Sequence, residues 1–278
     1  MLVARRGSAE AAEARVTRVN RVAGLSRLLD RPMAPVDADV LCAIAAGPID
    51  AANALLPTQL VRLLEPGELP GETGWCTMHD GVGYTAVRTP MPGVTGEMLD
   101  WWFAWHPHDP MRYRIWFPGA HAGISIEPAA RPAAKAYWNT VHHPIEDVGL
   151  GMQHLRIRFL DPVAFGFPEH VLEHPSVATI ICGLVGDDRR RVWHTRMCHF
   201  ARRTDNGVEL RSRFWLGAKL RLFTSSPLAA PINHLLANPA VRRRLIPRQA
   251  PLAMAHHCAA EYANLASLLP QLHQEHAT

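Results

Sequence analysis

The sequence predicts an α+β fold in which a curved antiparallel sheet wraps a long C-terminal helix, with a helical region in front of it. Three observations predict it. Short β-like runs recur from residue 112 onward, and several alternate in polarity. The triplet Asp205-Asn206-Gly207 is a hairpin signal between the last two runs. The final stretch, from about Pro251 to Gln274, is dominated by good helix formers. At 278 residues, the chain is long enough to bury a sizeable core.

Taken in order, residues 8 to 31 carry helical spacing, with Val16, Val19, Val22 and Leu25 on one stripe, until Pro32 and Pro35 break it. A second helical region is expected from Asp37 to Leu64, interrupted near Gly47-Pro48 and at Pro57. The turn-rich link "EPGELPGETG" then separates a helical region, residues 1–66, from the main domain, residues 67–278. "WCTMHDGVGYTAV" reads as a hairpin about Asp80-Gly81. "TGEMLDWWFAWHP" reads as a helix with Thr95 as its N-cap and Pro107 at its end. The expected strands are "YRIWF", "AGISI", "HLRIRFL", "VATIICGLV", "RVWHTRMCHFARR" and "VELRSRFWLG". In "HLRIRFL", Arg156, Arg158 and Leu160 fall opposite Leu155, Ile157 and Phe159, the pattern of a sheet with one wet face. A short helix is expected from Ala229 to Ala240, and Pro270 is a point where the last helix can kink or end.

Composition narrows the function classes. A net charge of +4 is too small for the concentrated basic face of a nucleic-acid binder. The runs Arg189 to Arg191 and Arg242 to Arg244 are read as solvated loop or helix ends. The cysteines, at 42, 76, 182, 198 and 258, are odd in number and form no C-x-x-C pair, so no disulfide framework is expected. No apolar run reaches the ~18 residues of a membrane span, and the basic, Ala-rich N-terminus lacks an apolar signal core. The cytoplasm is the default compartment.

The chemistry concentrates in "MAHHCAAEYANL". His257 and Glu261 are four apart and share one face of a helix, whereas His256 and Cys258 point elsewhere. Imidazole nitrogen and carboxylate oxygen both bind zinc at about 2.0–2.2 Å. Spacing alone makes a weak signal, since such pairs are common on exposed helices. The surrounding Ala253, Ala255, Ala259, Ala260 and Ala263 point to a packed surface, where a glutamate needs a partner or a metal. Further ligands must come from elsewhere. His121, Glu146 and His199 each sit in or beside an expected strand, and spacing does not choose among them.

The succession "TGEMLDWWFAWH", "RYRIWFPGAH", "ELRSRFWLG" and "HHCAAEYANLASLLPQL" resembles the 2,4-diacetylphloroglucinol hydrolase family, which includes phloretin hydrolase. The likeness spans roughly residues 70 to 273. It implies a helix-grip, Bet v 1-like domain and zinc-dependent hydrolysis of the C–C bond between an acyl group and a phloroglucinol ring. It implies Zn2+ held by His121, Glu146, His257 and Glu261, with Glu127 as the alternative to Glu146. It implies Tyr113 as a substrate-contacting tyrosine and His199 as a catalytic pocket histidine. A second pocket tyrosine of the family is replaced near Phe214 or Trp215, which leaves the substrate open.

On this reading, the phenol reaches a keto tautomer, water attacks the acyl carbonyl, and the ring leaves as an enolate. His199 shuttles the proton, its ordinary pKa near 6.5 suiting both directions. The tryptophans of "WWFAWH", Trp105 among them, wall an apolar pocket for a flat acylated polyphenol. The partner is that small molecule, with neither nucleic acid nor membrane, and a homodimer is an allowed assembly. The main rival is a non-enzymatic helix-grip protein that binds a hydrophobic or polyphenolic ligand without chemistry.

Overall fold

A computed structural model describes residues 24–224, 226 and 229–277. The stripe Val16, Val19 and Val22 lies outside the described residues; Leu25 is buried in the core. The helices are α1 (Ala38–Ala45), α2 (Gly96–Trp105), α3 (Pro110–Trp116), α4 (Pro162–Phe165), α5 (Glu169–Leu172), α6 (Ala229–Leu236), α7 (Pro239–Leu245) and α8 (Ala250–His276). The strands are β1 (Gly74–Thr77), β2 (Gly83–Pro92), β3 (His121–Gly123), β4 (Ile126–Glu127) and β5 (Val141–His142). They continue with β6 (Ile145–Asp147), β7 (Met152–Leu160), β8 (Val177–Asp187), β9 (Val192–Thr204) and β10 (Gly207–Leu222).

Every pairing is antiparallel, in the order β1-β2-β10-β9-β8-β7-β5-β4, with β6 joining β7 and β3 joining β6. Register shifts in β10 beyond Leu216 and between Val185 and Gly186 of β8 bend the sheet. The long helix α8 packs on β1, β2 and β10, and runs through Pro270 without ending there. The fold is the α+β class that the strand pattern predicts, and the sheet holding a long C-terminal helix is the helix-grip arrangement that the resemblance implies. The expected hairpins at Asp80-Gly81 and Asp205-Asn206 form, and Thr95 caps α2 by accepting the Met98 amide.

Two expectations need correction. "YRIWF" is not a strand. Asp109 accepts the Met111 amide at 2.8 Å and Pro110 occupies the first turn, so the segment winds into α3. Two of its buried residues, Tyr113 and Trp116, then stand one helical turn apart. The sheet also lacks a continuous wet face. The inner face packs on α2, α3 and α8 through residues such as Met197, Ala201, Phe214 and Leu265. The outer face carries Cys182, Cys198, Phe200 and Trp215, covered by Leu55, Leu60, Leu63 and Phe165. Alternating exposure of the kind expected appears only locally, as at Arg158 of β7 and at Lys219 and Arg221 in the distal part of β10. The described N-terminal elements therefore share both cores with the sheet.

The outer face also buries charge. Arg211 and Arg213 are 0% and 1% exposed. Arg213 pairs with Glu72, and Arg211 pairs with Glu209 at 3.1 Å and donates to the Leu63 and Glu65 carbonyls. Burial pushes the Glu72 carboxyl up, but the Arg213 and Arg211 charges and its hydrogen bonds hold it below the usual range. Glu72→Ala is expected to cost about 3–5 kcal/mol, because it leaves Arg213 charged and unpaired. Urea unfolding at neutral pH measures this. A depressed carboxyl stabilises the fold above its unfolded pKa and loses that contribution as pH falls through the folded one. Wild-type stability should thus fall below about pH 4.5, with a shallower fall in Glu72→Gln. Equal stability of wild type and Glu72→Ala would show that the pair contributes nothing.

Candidate metal centre

Strand register and helix docking build this site together. In the β3–β6 pair, His121 stands opposite Glu146. On α8, His257 and Glu261 share one turn. Side-chain bonds dock α8 against α3: Trp116 Nε1 donates to the Glu261 carbonyl at 2.9 Å, and Asn264 Nδ2 donates to the Trp116 carbonyl at 2.8 Å and to the Ile115 carbonyl at 3.4 Å. They place His257 and Glu261 against the β3–β6 pair.

The donor atoms of His121, His257 and Glu261 all lie within 4.8 Å of one another. His121 Nε2 is 3.5 Å from Glu146 Oε2 and 3.7 Å from Glu261 Oε2, and His257 Nε2 is 3.8 Å from Glu261 Oε2. Tetrahedral zinc with bonds of about 2.1 Å sets its ligands roughly 3.4 Å apart. His121 Nδ1 donates to the Tyr113 carbonyl at 3.1 Å, which leaves Nε2 as an acceptor. That Nε2 is buried without a hydrogen-bond partner. His257 is bonded to the Asp147 backbone.

Electrostatics agree with a cation. Burial pushes Glu146 up to about 7, opposed by the hydrogen bond from Tyr113. Burial, and then the Glu146 charge, push Glu261 well above the usual carboxylate range. Burial, and then His257, hold His121 well below the usual imidazole range; burial lowers His257 to about 4. Two buried carboxylates beside two neutral imidazoles form a donor set that could hold a divalent metal, whose charge would let both carboxylates ionise.

Glu146 is 7% exposed and receives the Tyr113 hydroxyl. Glu127, by contrast, faces solvent and pairs with Arg156 and His143 at 3.0 and 2.9 Å. Glu146, His257 and Glu261 line a cavity of about 1010 Å3. Tyr113, His199 and Phe214 line it. The Tyr113 ring stacks on His121, centroids 4.0 Å apart. His199 is 1% exposed; its Nδ1 lies 2.8 Å from Ser212 Oγ and its ring packs on Tyr262.

Trp105 and Trp215 do not line the cavity. Trp215 follows Phe214 on a strand, so it points to the outer core, where its Nε1 donates to the Leu55 carbonyl. Trp105 lies on the outer side of α2, stacked on Trp101 and His276 beneath Arg112. The aromatic wall instead comes from Phe103, His106, Trp116 and Tyr262. Reading "YRIWF" with a helical period would have found Trp116, one turn after Tyr113.

Residues 56–274 match the family described as the DAPG hydrolase PhiG domain. The phloretin hydrolase of Eubacterium ramulus is 30% identical over 255 residues, covering 88% of each chain. The 2,4-diacetylphloroglucinol hydrolase of Pseudomonas protegens is 30% identical over 247 residues, covering 84% of this chain and 79% of that one. Among solved structures, the Zhui aromatase/cyclase of Streptomyces sp. R1128 aligns at 14% identity and a TM-score of 0.36, covering 70% of this chain and 98% of that one. A major latex-like protein of Panax ginseng aligns at 10% identity and a TM-score of 0.33, covering 60% and 99%. Scores so low carry no weight, and the fold class rests on the sheet and helix themselves. The sequence matches span most of the chain, at 30% identity to named hydrolases, and on them this protein belongs to the DAPG hydrolase family.

Proposed function

We propose that this enzyme is a zinc-dependent hydrolase that cleaves the C–C bond between an acyl group and a phloroglucinol-type phenolic ring. The observation that carries the proposal is the buried group His121, His257 and Glu261, with Glu146 Oε2 3.5 Å from His121 Nε2, beside an aromatic cavity large enough for an acylated polyphenol. Relatives named as hydrolases of 2,4-diacetylphloroglucinol and of phloretin supply the substrate class. They also set aside the rival of a non-enzymatic binding protein.

Zinc held by these four residues would act as a Lewis acid, polarising a substrate oxygen and lowering the pKa of water. The chain's own groups do the rest. His121 is held through Nδ1, so Nε2 keeps its aim. Tyr113 donates to Glu146, and its oxygen is free to accept from a substrate hydroxyl. Burial lowers His199 to about 3, so it waits as a neutral base rather than a standing acid. It takes the proton of a ring hydroxyl as the ring becomes a ketone, and passes it to the ring carbon that bears the acyl group. Water adds to the acyl carbonyl, the C–C bond breaks, and its electron pair stays with the ring as an enolate. Reprotonation restores the phenol, and the acyl group departs as a carboxylic acid. Phe103, Phe214 and Trp116 hold the flat ring and exclude water from its faces.

Within the division at residue 67, every one of these residues falls in the 67–278 unit. All five cysteines are free, which suits a reducing compartment, and we place the enzyme in the cytoplasm. No helix of the described residues is long and apolar enough to cross a membrane. The test is incubation with 2,4-diacetylphloroglucinol and with phloretin, following ring and acid products. One acid should appear per ring released, ceasing on chelation and returning with zinc. A metal-loaded protein that releases acid from no acylphloroglucinol overturns the proposal.

A further inference from the structure

His106 plays no part in the chemistry above, yet it is built into the same cavity. It follows the last residue of α2 and is 2% exposed. Its Nδ1 lies 2.7 Å from the Trp102 carbonyl. A carbonyl only accepts, so Nδ1 carries the proton and Nε2 presents a bare lone pair. Nε2 makes no hydrogen bond, but it is not sealed away as His142 Nε2 is. Since the ring is otherwise buried and lines the cavity, that opening faces the cavity.

The surroundings define what can meet this lone pair. The His106 ring lies 25° from parallel to Tyr113, centroids 6.0 Å apart, and Tyr113 in turn stacks on His121. Trp116 and Phe103 each approach at 5.5 Å. A row of rings thus leads from the metal donors to His106, along the length of a flat occupant. Burial lowers His106 to about 3, so it is neutral at working pH. A neutral acceptor in an aromatic wall welcomes a hydroxyl and disfavours a carboxylate or phenolate, which brings only acceptors.

We propose that His106 is a specificity-determining residue: its Nε2 accepts a hydrogen bond from a ring hydroxyl of the phenolic substrate, remote from the metal donors. The assignment rests on the reading that the cavity takes a phenolic ring. It makes the site select for a protonated hydroxyl at that place on the ring.

The test uses the full-length, zinc-loaded protein and two rings without an acyl group, phloroglucinol and resorcinol, which differ by one hydroxyl. Calorimetric affinities are measured for wild type, His106→Phe and His106→Gln, with zinc content as the control. The Trp102 carbonyl keeps its backbone partner in both variants, and the glutamine returns an acceptor near the Nε2 position. Wild type should prefer phloroglucinol by about tenfold, as one hydrogen bond allows. His106→Phe should lose that preference with zinc unchanged, and His106→Gln should recover part of it. A preference that survives in His106→Phe overturns the role of His106 alone and leaves the proposed hydrolysis standing. Failure of wild type to bind either ring overturns the assignment and counts against the phenolic reading of the cavity as well.

Discussion

Replacing His257 with alanine is expected to strip the protein of its metal and to lower kcat/KM roughly a thousandfold or more. The variant removes one of two imidazole donors and leaves Glu146 and Glu261 with one donor fewer beside them to hold an ion. Burial already disfavours the ionised form of both carboxyls. They would then keep a proton rather than bind an ion. Elemental analysis of protein purified without added metal should find about one zinc per chain in wild type and almost none in the variant. Melting temperature should move the same way, because a ligand that binds only the folded state stabilises it by mass action. Full zinc content in His257→Ala would remove His257 from the metal site.

His199→Ala is expected to lower kcat by about 10²–10⁴-fold, the usual contribution of a positioned general base, with zinc retained. The histidine sits in the cavity wall, held by Ser212 through Nδ1 and packed against Tyr262 and Phe214. A purely structural role would instead lower stability and leave kcat alone. The readout is therefore kcat together with metal content and urea unfolding. Near-normal kcat in a folded, zinc-loaded variant would sink the proposed proton transfer. The ordinary imidazole pKa near 6.5 suggests a group poised between two states, but full burial with no charged partner removes that poise. His199 rests neutral, and its proton arrives with the substrate.

Local pattern carried much of this protein. Period-two runs and turn signals marked β1, β2 and β7 to β10, and helix formers marked α8. The four-residue spacing put His257 and Glu261 on one face of that helix. These features depend only on neighbours within a few residues, so composition and spacing report them directly. The strand period failed at "YRIWF", where a capping aspartate and a first-turn proline outweighed β-prone side chains. Alternation along β10 implied that Phe214 and Trp215 face opposite ways, but not which faces the cavity.

The tertiary structure decided the rest. His121 meets Glu146 through the register of two three-residue strands, and both meet α8 because Trp116 and Asn264 bond across to it. The segment that covers the outer sheet face turned Trp215 and Arg211 into buried residues. On α2, Trp105 stacks on Trp101 and His276 away from the cavity, which Phe103, His106 and Trp116 reach. A one-dimensional pattern states which residues share a face of their own element. Which faces meet depends on contacts between elements far apart in the chain, and the metal donors, the cavity wall and the free nitrogen of His106 are all products of those meetings.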